Sequence, residues 1–303
     1  MFIASGTKSH YHSLQQIFLR FCKTFKLDAY TVTEMELCLA VSHFVLGHSS
    51  TSAAGYLSAI QHMYDSAGAG PLPRGPKFQR FFRGLKRLFG PLDPVVRQRA
   101  ITVADLTVLV KALDPANPQD CCFACQLIIA FFLALRTEDH TDGRMQWRDI
   151  FARSDGSVEF YLRPGKSTRF FRHVTIAARS DCLDLLPWLR LLHSYIPPWA
   201  AKERRPVFVS FSMSSGGRQS YPPLSRAKFV HRLKELVKSQ LGHDPTLFSG
   251  YSLRRGAVTA ILSADKPVAA VKRHVGWAPG SDTYNLYYDA EGRAQQLLPT
   301  AGL

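Results

Sequence analysis

Four short polar islands interrupt otherwise apolar stretches of this 303-residue chain. Each holds a side chain able to grip an anion, move a proton or attack an electrophile. The first is Ala134-Leu135-Arg136-Thr137-Glu138, at the end of the most hydrophobic run, residues 127–135. An arginine leaving such a run is held by packing and stays charged, although it would serve equally as an ordinary cation on the last turn of a helix. The second is Lys166, within Pro164-Gly165-Lys166-Ser167 and flanked by Arg163, Arg169 and Arg172. A lysine in a hairpin turn also serves solubility alone. The third, Tyr251-Ser252-Leu253-Arg254-Arg255-Gly256-Ala257, opens a helical stretch, and either arginine there could be solvated. The fourth begins at His274-Val275-Gly276-Trp277 and continues through Tyr284, Tyr287 and Tyr288. Viewed singly, each of those phenols suits a core as well as a nucleophile.

The elements that must position these islands follow from apolar spacing. Residues 11–25, 33–46 and 50–67 repeat apolar side chains at helical period, with Thr33 and Glu36 placed as a capping box. In residues 77–89, Phe78, Phe81, Phe82, Leu85, Leu88 and Phe89 form one helical face and cations occupy the others. Gly90, Pro91 and Pro94 stop that helix, and 95–99 reads as an exposed linker. Helices are then expected at 102–113 and 119–135. The period changes at Val158, Phe160 and Leu162 and again at Val174 and Ile176, which with the turn around Lys166 makes a β-hairpin. Helices return at 183–195, 224–241 and 253–264, with a short apolar stretch, 207–211, between them. The expected fold is mainly α with a small β-sheet: a helical domain over 1–92, a linker over 93–101 and a second domain over 102–303.

Charge and composition narrow the function. The chain carries 38 Lys+Arg against 23 Asp+Glu, a net +15, with 46% hydrophobic residues, which is ample for packed cores. Arg74, Lys77, Arg80, Arg83, Lys86, Arg87, Arg97 and Arg99 face one acid, Asp93, so residues 71–100 alone hold +7. A basic helix of this kind fits duplex phosphates, and a solvated face is the alternative. The longest apolar run falls well below the roughly 20 residues a membrane span needs, and residues 1–12 lack the apolar stretch of a signal peptide. An intracellular protein is expected, nuclear in a eukaryotic host and otherwise cytoplasmic, with no membrane partner. The six cysteines form no disulfide framework; Cys122 and Cys125 lack a second ligand pair and read as small buried side chains, with no metal expected. No phosphate-binding glycine loop points to a nucleotide.

Taken in order, the islands resemble the tyrosine recombinase (phage integrase-like) family, closest in flavour to the recombinases of retrotransposons and other mobile elements. The family pattern is an LR-x-x-E motif, a hairpin lysine, an H-x-L-R box, a His or Trp after a glycine, and a nucleophilic tyrosine. Here these read Leu135-Arg136, Lys166, Tyr251-Ser252-Leu253-Arg254, Gly276-Trp277 and Tyr287. The acidic position falls on Asp139, with Glu138 one residue earlier, and either acid could brace Arg136. Arg254 lies 23 residues before Trp277, and Tyr287 follows Trp277 by ten, one more than the family's usual spacing.

The resemblance implies a helical core-binding domain followed by a catalytic domain that close around DNA. Arg136 and Arg254 would clamp the scissile phosphate through forked donors, Lys166 would protonate the leaving 5′-oxygen, and Trp277 would donate its indole N–H. Tyr287 would attack to give a 3′-phosphotyrosyl bond, with Tyr288 and then Tyr284 as competitors. No cofactor and no ATP are implied, and the partners would be double-stranded DNA and three more copies, a homotetramer on two DNA sites. Tyr251 stands where most members have histidine; phenols titrate near ~10 and make poor neutral-pH bases. Tyr251 is therefore expected to position the phosphate, with His274 as a possible substitute. Two other readings remain open: a catalytically silent, domesticated DNA-binding relative, and a type IB-like topoisomerase, which shares the chemistry but acts as a monomer.

Overall fold

The computed structural model describes residues 5–92, 98–163, 171–198, 204–213, 218–264 and 266–281. Arg97, Lys166, Tyr284, Tyr287 and Tyr288 lie outside the described residues. The chain divides into two compact units, Met1–Val96 and Arg97–Leu303.

Four helices build the first unit: α1 (Ser5–Thr24), α2 (Glu34–Gly47), α3 (Ala53–Ala67) and α4 (Pro76–Phe89). Thr33 and Glu36 cap α2 reciprocally, satisfying two backbone N–H groups that the first helical turn leaves unpaired. Phe18, Leu37, Val41, Phe44, Tyr56 and Ile60 form a buried core, with the Phe44 and Tyr56 rings stacked 4.2 Å apart. Phe78 and Leu85 fasten α4 to this core, and Glu34 of α2 accepts from the Phe78 N–H at 2.7 Å. That carboxylate supplies an acceptor and a negative charge where the α4 dipole is positive.

The second unit contains α5 (Val103–Lys111), α6 (Pro118–Phe132), α7 (Thr137–His140), β1 (Ile150–Ala152), β2 (Val158–Leu162), β3 (Arg172–Ile176) and α8 (Leu185–Tyr195). It continues with β4 (Ser212–Met213), β5 (Gln219–Ser220), α9 (Arg226–Leu241), α10 (Tyr251–Ser263) and α11 (Val268–Val275). Helix α6 is buried on every side from Cys121 to Phe131, which makes it the central helix, packed on by α5, α8 and α10. Cys121, Cys122 and Cys125 are part of that interior. The first sheet is antiparallel in the order β1-β2-β3, with Val158 opposite Ile176 and Leu162 opposite Arg172.

The helix expected over 119–135 stops three residues early. Ala134 adopts φ 47, a left-handed conformation that turns the chain, so Arg136 stands at the N-terminus of α7 and not on the last turn of α6. The alternative of a C-terminal cation on a hydrophobic helix is thereby corrected. Residues 98–101, read as the end of an exposed linker, are fastened to α10 and its approach. The Arg99 N–H donates to the Leu247 carbonyl, Ile101 to that of Ser252, and Arg255 reaches back to the Gln98 carbonyl. Gly256 makes this approach possible: a Cβ there would lie 1.7 Å from the Ile101 carbonyl oxygen. Strand β1 and helix α11 have no counterpart among the expected elements.

Candidate active site and basic helix

Arg254 is the largest fully buried side chain among the described residues. Its Nη1 donates to the carbonyl of Ala134 at 2.6 Å, and its guanidinium lies over the Trp277 ring, 5.2 Å from the centroid. Both contacts depend on backbone turns. Left-handed Ala134 presents its carbonyl to α10, and left-handed Gly276 ends α11 so that Trp277 follows at once. Arg136 lies two residues beyond Ala134, half-buried, and Asp139 accepts from its backbone N–H at 3.0 Å. Glu138 instead pairs with Arg226 at 2.9 Å, so Asp139 is the acid that braces the Arg136 backbone.

Tyr251 opens α10, half-buried, one turn before Arg254, and its N–H is capped by the Ser249 hydroxyl at 3.2 Å. Ser252 and Leu253 are buried beside it. His274 is committed elsewhere. Its Nε2 lies 2.7 Å from the Phe132 carbonyl, an acceptor, so Nε2 must carry the proton. Burial pushes its pKa down, the Phe132 carbonyl opposes this, and the charges of Arg172 and Arg254 add to it. A neutral imidazole fixed in this way is a weak substitute for a mobile base.

Arg172 is the residue that sequence reasoning passed over, having counted it only among the flanks of Lys166. Its guanidinium reaches the His274 carbonyl and rests against Gly276. Burial lowers its pKa, Asp139 opposes the shift, and the charge of Arg136 adds to it. Arg172 and Arg254 therefore flank the turn that carries Trp277, and the charge of Arg136 acts on Arg172. No signal beyond its position as the first residue of β3 marks Arg172 in the sequence.

On α4, Lys77, Arg80, Arg83, Lys86 and Arg87 are exposed, and Lys86 lies 4.7 Å above the Phe82 ring centroid. Arg99 is exposed as well. Arg74 is different: its Nη2 donates to the Leu57 carbonyl at 2.7 Å, and burial lowers its pKa. It braces α3 from inside the unit. Among the described residues no group of His, Cys, Asp and Glu could hold a metal ion, and no helix is long and apolar enough to cross a membrane.

No protein-family model matches the chain, and no curated protein matches its sequence. Solved structures do. The Tn1549 transposon integrase in complex with circular intermediate DNA is similar over 97% of this chain and 94% of that one, at TM-score 0.60 and 12% identity. XerH site-specific recombinase in a post-cleavage complex with palindromic difH DNA covers 90% of this chain and 72% of its own, at TM-score 0.58 and 13% identity. The lambda integrase tetramer bound to a Holliday junction covers 96% and 74%, at TM-score 0.56 and 15% identity. At these identities the likeness is one of fold. The fold is that of the tyrosine recombinases, α-rich with a small antiparallel sheet.

Proposed function

We propose that this chain is a site-specific DNA recombinase that cleaves and rejoins strands through a 3′-phosphotyrosyl intermediate, without metal or ATP, in the service of a mobile element. The observation that carries this reading is the buried Arg254, bound to the Ala134 carbonyl and covered by Trp277, with Arg136 two residues from that carbonyl. A fully buried guanidinium is costly unless its charge is used, and a phosphate is the anion its fork fits best.

Arg136 and Arg254 hold the nonbridging oxygens and stabilise the charge that builds on them as Tyr287 attacks phosphorus. The bond from phosphorus to the 5′-oxygen breaks, Lys166 gives that oxygen its proton, and the phenol proton leaves to water. Tyr251 positions the phosphate and Trp277 holds Arg254 in place. Lys77, Arg80, Arg83, Lys86, Arg87, Arg97 and Arg99 bind duplex backbone, while Arg74 supports the unit that carries α4. The active assembly is a homotetramer on two DNA sites, a reading supported by the lambda integrase tetramer. The first domain, 1–92, supplies backbone binding, and 102–303 supplies the chemistry.

A second reading, a DNA-binding relative that does not cut, is favoured by Tyr251 at the usual histidine position and by the engagement of His274 with Phe132. One experiment separates them. A randomised pool of nicked suicide duplexes is incubated with the protein, and adducts that survive denaturing electrophoresis are collected and amplified. Adducts with wild type and none with Tyr287→Phe are expected. Their absence with wild type would leave the non-cutting reading, and their persistence in Tyr287→Phe would move the nucleophile to Tyr288 or Tyr284.

A further inference from the structure

Arg172 has no task in the chemistry above, yet it sits in the same cluster. Its Nη1 donates to the His274 carbonyl at 2.5 Å, and Nε and Nη2 have no hydrogen-bond partner among the described residues. The side chain lines a pocket of about 230 Å³ together with Leu135, Asp139 and Arg163. Gly276 lies flat against it: a Cβ there would fall 2.9 Å from the Arg172 Cδ and Nε. The fork is thus held along one edge by backbone, and the pocket that the side chain lines is bordered by Asp139, while the charge of Arg136 is near enough to act on Arg172.

The charge balance points the same way. The charge of Arg136 acts on Arg172, those of Arg172 and Arg254 both act on His274, and the carboxylate acting on Arg172 is that of Asp139, whose Oδ2 already accepts from the Arg136 backbone. The cluster keeps a positive surplus that an external anion would neutralise. We propose that Arg172 is a third phosphate-binding guanidinium of the cleavage site, donating from Nε and Nη2 to a nonbridging oxygen of the phosphodiester held by Arg136 and Arg254. This rests on the DNA-cleavage reading. A structural brace between β3 and α11 would use only the Nη1 bond; the proposal requires the other donors as well.

The test compares two substrates. On an ordinary nicked suicide duplex from the selected pool, Arg172→Ala and Arg172→Gln are expected to form adduct about tenfold to a hundredfold more slowly than wild type, as for the loss of charge-assisted hydrogen bonds. Replacing one nonbridging oxygen of the scissile phosphate by methyl removes the negative charge that Arg172 would balance. That substrate should return both variants to within about threefold of wild type, because the missing cation is no longer required. Thermal melting of Arg172→Gln near that of wild type excludes misfolding as the cause of slowing. Wild-type rates on the ordinary duplex, or slowing that the methylphosphonate does not relieve, would overturn the proposal while leaving the cleavage reading intact. No adduct with wild-type protein would overturn both.

Discussion

On α4, five cations lie exposed along a helix anchored by Phe78 and Leu85, whereas around α10 the Arg254 guanidinium has no exposed surface and is bound to backbone and indole. Both regions are basic, but their physics differs. Exposed cations act through a screened field, each contributes little, and neighbours compensate for one another. A buried guanidinium has lost its water, so its carbonyl, its aromatic cover and any bound anion must replace that hydration. The first arrangement suits binding that tolerates change; the second fixes one charge and its direction.

Breaking the second arrangement should have the largest effect. Arg254→Lys keeps a cation but loses the fork, and adduct formation should fall on the order of 10²–10³-fold with DNA binding retained, read by comparing gel shift with covalent trapping. Equal losses of binding and cleavage would remove the contrast. Acid should act next, through the interior of the same unit. Burial pushes the His140 imidazole from its ordinary 6.5 down to about 3. The unfolded chain therefore takes up the proton first, and stability should decline as pH falls from 6.5 toward 3, by up to ~1.4 kcal/mol per pH unit for this histidine. His140→Gln should flatten that decline in urea titrations made at successive pH values. A slope unchanged by the substitution would locate the acid sensitivity elsewhere.

Trp277→Ala should cost about 1–2 kcal/mol and slow cleavage, while Trp277→Phe, which keeps a ring face under Arg254, should recover most of the loss. Melting temperatures and adduct rates read together would expose a purely structural tryptophan, for which only the melts would move. Ala134→Gly should change stability by less than about 0.5 kcal/mol, because relief of the left-handed strain offsets the added chain entropy, whereas Ala130→Gly inside α6 should cost about 1 kcal/mol or more. Smallest of all, replacing Arg83 or Arg87 singly by Ala should leave folding within about 0.5 kcal/mol and lower the salt slope of DNA binding by about one phosphate. A single α4 substitution that abolishes binding would mean this face is not a distributed one.

The parts legible in the sequence are those governed by period and local chemistry. The apolar stripe of α4, the Thr33 cap and the β2–β3 alternation arise from neighbouring residues and need no tertiary knowledge. The break at Ala134 was hidden because nothing local favours a left-handed alanine; the surrounding core imposes it. Strand β1 spans only Ile150–Ala152, too short for alternation to register, and α11 is eight residues with Lys272, Arg273 and His274 in its last turn. Of the candidate site, Arg136, Tyr251, Arg254 and Trp277 were named from motif order, whereas Arg172 became visible only when Gly276 and the His274 carbonyl were seen against it. Arg74 illustrates the reverse: grouped with the DNA-binding cations by its place in a basic run, it donates to the Leu57 carbonyl within its own unit.

The fastening of residues 98–101 has a mechanical meaning. Chain entering the second unit runs from Gln98 and Arg99 directly into hydrogen bonds with Arg255 and Leu247, and Ile101 is pressed against Gly256 without a methyl group's clearance. There is no slack between that entry point and the helix that carries Arg254. A displacement of Gln98 or Ile101 is therefore felt directly by α10.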